Sequence, residues 1–307
     1  MVYSFYSYGV VYFIFYALTL LNFLNSSSLL VSWILLELNI LRFCVLLFFY
    51  LENFARILYY FLVQRLGSFI MLFYLIFRDQ RSSSFSIVFI VALALKLGFF
   101  PFQFWFYNVS SAFTIFSFFI LLTWQKVPGM VVLFNSYREA LLILFVINGV
   151  FGSAIVFFSS NLVSLLVSSS IYIGYWNMVI YCFYPSIFFY FYVFYVATLA
   201  LGFFCCSPYF SSYVYRRFLV LAFFLIGLPP FNIFFMKIFF MSLISNCLSS
   251  GLLFYILGIS FTCIIGYFRV FSKNLLYMCN VECSENNTLF LLKSGFLLLI
   301  SFVLIFC

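Results

Sequence analysis

Apolar residues run nearly unbroken for about twenty positions at a time along this chain, separated by short polar clusters, with no strict alternation of apolar and polar side chains. Twenty helical residues rise about 30 Å, the thickness of a bilayer's hydrocarbon core, whereas a lipid-facing barrel strand alternates over about ten. The pattern predicts an all-α polytopic membrane protein with about eleven transmembrane helices. The predicted spans lie near 3 to 24, 28 to 50, 55 to 77, 85 to 106, 111 to 133, 139 to 158, 160 to 182, 186 to 206, 217 to 243, 250 to 271 and 289 to 307. Together they make a single transmembrane domain over 1–307, with 1–133 as a first half, 139–271 as a second half and 289–307 as a C-terminal helix. The longest polar connection, Lys273 to Thr288 with Glu282 and Glu285, is expected to be a surface loop. The opening MVYSFYSYGV lacks the basic stretch and small-residue cleavage site of a removable signal, so the first span is expected to belong to the domain.

Proline and glycine interrupt three of these spans. Gly98 with Pro101 breaks the fourth, Pro128-Gly129 the fifth, and Gly227 with Pro229-Pro230 the ninth. A proline removes an amide donor and clashes with the preceding turn, so each site is expected to free backbone carbonyls at membrane depth. Irregular backbone survives there only where protein or a wet cavity covers it. The fourth and ninth spans each pair a break with a lysine, Lys96 with Pro101 and Lys237 with Pro229-Pro230. Five helices apart, they run in opposite directions, and matched broken helices in inverted halves point to a transport site near the bilayer midplane.

Composition sharpens this reading. Of 307 residues 68% are hydrophobic and 7% charged, and the mean hydropathy is +1.26. The net charge of +8, from fourteen basic and six acidic residues, is scattered and forms no basic stripe, which argues against a nucleic-acid partner. It suits loops anchored at the anionic surface of a lipid bilayer. Nine cysteines lie in apolar contexts without metal-ligand spacing, and there is no histidine, so no metal is expected. The fifty-two Phe and twenty-four Tyr match codons rich in T, as in an organellar coding strand. No GxGxxG, P-loop, CxxC or histidine-based triad is present, so no cofactor and no redox centre is expected in this chain.

Candidate chemistry rests on the charges inside spans. Lys96, Lys126 and Lys237 lie in apolar surroundings, as does Glu37 in SWILLELNILRF. A lysine at the bilayer centre costs roughly 2.5 to 3.5 kcal/mol, which calls for a function or a strong compensation. The alternative is that the amines snorkel to the interface with only their stems in lipid. Lys96 resists that reading, since it sits roughly 16 Å into its span, while Lys126 and Lys237 lie nearer span ends. A buried Glu37 is either kept neutral or held ionised by a neighbouring lysine, and either state suits a proton path. Its alternative is a packing carboxyl hydrogen-bonded to another helix. Arg65 in YFLVQRLGSF does not give up its proton, so it is expected to pair with a carboxylate or carbonyls, or to line a subunit contact. Asn148, Ser168, Ser169, Ser170 and Tyr172 can bridge helices or hold water.

With those residues in view, Lys96 to Trp105, KLGFFPFQFW, resembles the KLG-x-x-PFHFW signature of the antiporter-like, proton-translocating subunits of respiratory complex I. WILLELN around Glu37, TWQKVPG around Lys126, LIGLPPFNIFFMK ending at Lys237, and Ser168-Ser169 with Gly174 resemble further motifs of that family in order and spacing. The resemblance runs from about residue 31 to 240. It implies an antiporter-like fold with inverted repeats and broken helices, truncated to the eleven spans of the short animal mitochondrial form. It also implies a membrane-arm subunit of NADH:ubiquinone oxidoreductase in the mitochondrial inner membrane. There Glu37, Lys96, Lys126 and Lys237 would relay protons, coupled to quinone reduction elsewhere. Gly98, Pro101, Gln103, Pro128, Ser168, Ser169, Tyr172, Pro229 and Pro230 would support the relay. NADH, FMN, iron-sulfur clusters and ubiquinone would belong to other subunits of the complex, and the partners would be its other membrane-arm subunits.

The family signature has His where this chain has Gln103, and often a second His near Tyr172. Without imidazole, protons would have to pass between lysine, glutamate, hydroxyls and water. Two rival readings are a structural membrane-arm spacer, whose buried charges only fix helix register, and a subunit of a cation/proton antiporter.

Overall fold

Ser28 opens the first fully described helix by accepting a bond from the amide of Val31 at 3.3 Å, which satisfies one of the unpaired donors of a helix start. That helix, α1, is Leu29–Phe49, and α2 is Phe54–Phe77. The helices that follow are α3 Ser83–Leu97, α4 Phe104–Ser110, α5 Ile115–Leu122, α6 Lys126–Ser136, α7 Arg138–Phe158 and α8 Leu162–Phe183. Beyond them are α9 Pro185–Cys205, α10 Asn232–Ser245 and α11 Ser250–Glu282. This computed structural model describes residues 28–50, 52–77, 83–111, 113–136, 138–159, 162–205, 232–245 and 250–282, together with positions 18, 22, 23 and 26. The predicted first and last spans lie outside the described residues, as does the Gly227, Pro229-Pro230 break.

Among the described residues, five helical stretches are long and apolar enough to cross a membrane: Leu29–Phe49, Phe54–Phe77, Phe116–Phe134, Val163–Phe183 and Ser250–Val270. Among the described residues the fold is helical throughout, with no strand. Leu66, Phe69, Phe158 and Phe254 stand exposed on its outside, an arrangement suited to lipid and costly in water. The chain is a multi-pass membrane protein.

Its centre is α8, which packs along α7 and α9 and also meets α4 and α11. Leu165 to Ile180 are buried almost without interruption, and this stretch includes Ser168, Ser169, Ser170, Tyr172 and Asn177. A second group, α1, α2 and α3, packs side by side and meets α6 through both α1 and α3. Trp33 of α1 donates its indole N–H to the carbonyl of Ser68 in α2 at 3.1 Å. Near one end, Glu52 accepts from the amide of Thr114 at 2.7 Å and from the hydroxyl of Ser117, so a carboxylate sits at the start of α5, where helix ends favour it. Four residues on, Arg56 donates to the carbonyl of Asn108 in α4.

Among the described residues two spans are broken. The fourth ends at Leu97 and resumes as α4, and its end is a Schellman turn with Gly98 in the left-handed conformation at φ +68. The amide of Phe99 reaches the carbonyl of Ala94 at 2.9 Å, and that of Gly98 reaches Leu95 at 3.3 Å. Side chains take part as well: Trp105 donates to Leu95 O at 2.9 Å, Gln64 donates to Lys96 O at 3.1 Å, and Asn148 of α7 accepts from the amide of Phe100 at 2.9 Å. The peptide before Pro101 is cis.

The fifth span breaks upstream of the expected site. Its gap is Thr123 to Gln125, and Pro128 is the third residue of α6. An amide at that position has no partner within the helix, so proline costs little there. The carbonyl freed at Thr123 accepts from the amide of Lys126 at 3.0 Å and from the hydroxyl of Tyr192 at 2.6 Å. A second correction concerns Lys273 to Glu282, expected to open a surface loop: α11 continues through these residues, which suits a helix that leaves the bilayer and becomes polar. Residues 283–288 lie outside the described set.

Gly98→Ala forces an L side chain into the left-handed region and is expected to destabilise the fold by about 1 to 2 kcal/mol. Gly258, mid-helix in α11 with nothing within 4 Å of a built Cβ, provides the opposite sign, and its change to Ala should stabilise by about 0.5 to 1 kcal/mol. Thermal unfolding of the two variants in the same detergent checks the ordering.

Candidate functional site: a buried charge cluster beside two helix breaks

Glu37 projects from the middle of α1 and is buried. Its two oxygens face different cations. Oε2 lies 2.6 Å from Nη1 of Arg65 in α2, and Oε1 lies 3.4 Å from Nζ of Lys96 at the end of α3. Lys96 has only 4% of its side chain exposed, against 31% for Arg65, whose guanidinium also lies 4.9 Å from the ring centre of Phe61. Gly67 lets the lysine stem cross α2, because a Cβ there would fall 2.8 Å from Lys96 Cγ. Lys96 also occupies the last turn of α3, where the helix field favours a cation.

Lys126, the first residue of α6, is buried at 4% exposure, which rules out snorkelling for it as burial does for Lys96. Its Nζ donates to Ser170 Oγ of α8 at 2.9 Å and lies 4.7 Å from the ring centre of Phe106. Between the two lysines is a cavity of about 10 Å³, room for roughly one water molecule. Lys96, Lys126, Tyr60, Gln64 and Gln125 supply its polar lining. Gln125 Oε1 accepts from Tyr60 OH at 3.1 Å and from Asn39 Nδ2 at 3.2 Å. The cavity is thus tied back to α1 two residues from Glu37.

Lys237 in α10 is partly buried, with its Nζ 5.1 Å from the ring centre of Tyr172 and 5.9 Å from that of Trp176. It does not line the cavity between Lys96 and Lys126. One helix, α8, touches both distal lysines, through Ser170 and through Tyr172. Ser168 and Ser169 donate to carbonyls of their own helix, Leu165 and Leu166, at 2.9 and 2.7 Å, so among the adjacent serines Ser170 is the one bonded to Lys126. Gln103 is buried at the start of α4, with an Oε1 that no protein group reaches. Pro101 is exposed and Pro128 buried, while Pro229 and Pro230 lie outside the described residues. Among the described residues no three His, Cys, Asp or Glu side chains come together as metal ligands.

Sequence reading singled out the lysines and Glu37, with Asn39 two positions on, but missed the other groups that connect them: Tyr60, Gln64 and Gln125. Gln125 carried a usable signal, since it is the neighbour of Lys126 in TWQK. Arg65 meets a carboxylate, as expected of a guanidinium at this depth.

The sharing of Glu37 makes its two sides unequal. Glu37→Gln leaves the buried Lys96 and the half-buried Arg65 without a counter-charge and is expected to cost about 3 to 5 kcal/mol. Lys96→Met should cost clearly less, because Arg65 still holds the carboxylate. Denaturation of both variants checks the inequality, and equal losses would contradict it.

No family model matches the chain. The fold resembles that in the structure of respiratory complex I from Thermus thermophilus with bound aureothin, with a TM-score of 0.64 and 20% identity over 77% of this chain and 63% of that one. NADH-ubiquinone oxidoreductase chain 2 of Didelphis virginiana is 28% identical over 197 residues, which cover 56% of this chain and little more than half, 57%, of the relative. The protein of the same name from Artemia franciscana is 30% identical over 291 residues, 89% of this chain and 92% of its own length. At that identity and coverage, the chain belongs to the NADH-ubiquinone oxidoreductase chain 2 family.

Proposed function

We propose that this chain is a membrane-arm subunit of NADH:ubiquinone oxidoreductase in the mitochondrial inner membrane, conducting protons through Glu37, Lys96, Lys126 and Lys237. The redox cofactors and the quinone site belong to other subunits on this reading, and the neighbours are the other membrane-arm subunits. The observation that carries it is the cavity lined by both Lys96 and Lys126 beside the Glu37 pair.

An ammonium N–H of Lys96 breaks, its proton passes to a water in the cavity, and a water proton forms the new N–H bond on the amine of Lys126. Weakening the Glu37–Lys96 pair starts the step, since the carboxylate favours the charged lysine. From Lys126 the path continues along α8, where Ser170 meets Lys126 and Tyr172 meets Lys237. Tyr172 OH meets the indole N–H of Trp176, and Tyr267 OH meets Ser169, so buried polar groups line this stretch of α8. Residues 1–133 and 139–271 then act as two inverted half-channels joined near Lys126.

Lys96→Met and Lys126→Met, each in an assembled complex in sealed vesicles, test the relay. Both are expected to lose most proton translocation and to slow quinone reduction while complex content holds. A spacer would instead lose assembly, with the surviving complexes keeping their proton stoichiometry. Normal pumping in both variants sinks the relay.

A further inference from the structure

Arg65 has no place in the relay, since a guanidinium does not give up its proton. Yet it makes the shorter of the two contacts to Glu37, 2.6 Å against 3.4 Å for Lys96. We infer that Arg65 is a positioning residue, a fixed counter-cation that keeps Glu37 paired while Lys96 loses and regains its proton. This rests on the proposed relay through Lys96 and assigns the one cation in the cluster that the relay leaves unused.

The charge count shows why such a residue is needed. With Lys96 protonated, Glu37, Arg65 and Lys96 sum to +1, and after the proton leaves they sum to zero. Without Arg65 the same step runs from zero to −1 and strands a carboxylate in an apolar interior. A buried charge that loses its partner is strongly penalised, whereas one that keeps a partner is not. Arg65 thus converts the release of a proton from the breaking of an ion pair into the loss of one of two partners.

Geometry agrees with a fixed role. Arg65 and Lys96 approach different oxygens of one carboxylate, so the lysine can detach without disturbing the arginine contact. Phe61, one turn before Arg65 on α2, lies against the guanidinium at 4.9 Å and helps hold it in place. The arginine is the more exposed of the two cations at 31%, so its own burial cost is the smaller. Lys96, at 4%, is the one facing the cavity.

The test uses the assembled complex in sealed vesicles, with protons translocated per electron pair and the rate of quinone reduction as readouts. Arg65→Gln is expected to lower coupled turnover at least about tenfold with complex content preserved, because the remaining Glu37–Lys96 pair then holds its proton. Arg65→Lys, which restores a cation, is expected to recover a large part of that loss, a rescue that a purely space-filling role would not give. Wild-type turnover and stoichiometry in Arg65→Gln, beside a defective Lys96→Met, overturn the inference and leave the relay standing. Normal pumping by Lys96→Met overturns the relay and this inference with it. Should Arg65→Gln fail to assemble, Glu37→Gln with Arg65→Gln decides: recovered assembly supports the pairing, and continued failure overturns it.

Discussion

A single carboxylate shared by two cations, in a protein built for an apolar solvent, constrains the first half of this structure. Glu37, Arg65 and Lys96 come from three consecutive helices, α1, α2 and α3, so the rotation of each about its own axis is set by the need to meet at one point. Rotating any of them by one residue, about 100°, would leave a charge facing lipid or packed against an apolar wall. Hydrophobic burial cannot supply that specificity in a membrane, because lipid tails are as apolar as Leu and Phe side chains. The charges therefore fix register while small residues permit approach, as Gly67 does for the stem of Lys96.

The broken helices follow a related economy. An unpaired carbonyl at membrane depth has no water to turn to, and several of those freed at the two breaks accept from side chains of other helices. Gln64, Trp105 and Tyr192 supply those donors, and Asn148 accepts the amide at Phe100. Gln64 both caps the backbone of Lys96 and lines the cavity that Lys96 shares with Lys126. The features that make an irregular backbone tolerable are thus also those that make the spot polar enough to hold water.

The spans were largely legible in the sequence, because twenty apolar residues have few places to go: 28 to 50, 55 to 77 and 139 to 158 fall within a residue of the helices observed. Burial of Lys96 was legible too, from its depth in an apolar run. The second break was not, because proline marks a position where helix hydrogen bonding can start as readily as one where it stops, and Pro128 lies in a first turn. The polar stretch after Lys273 was read as loop although polar residues extend a helix readily once it has left lipid. Which carboxylate Arg65 would meet was the least legible. Glu37 is twenty-eight positions away on another helix, and no spacing rule fixes how two neighbouring helices are turned toward each other.

The absence of histidine gives the shared carboxylate its consequence for the proposed relay. Imidazole can take a proton on one nitrogen while releasing one from the other, so a chain of imidazoles passes charge without breaking an ion pair. Lysine has a single nitrogen, and a lysine held by a carboxylate must sever a favourable contact each time it gives up its proton. A lysine-based path at membrane depth needs a release step that leaves no stranded charge behind, together with a polar space to receive the proton. Around Lys96 both are present: a second cation already seated on Glu37, and a cavity with room for about one water on the side of Lys126. A spacer that used charge only to fix register would need the first of these and have no use for the second.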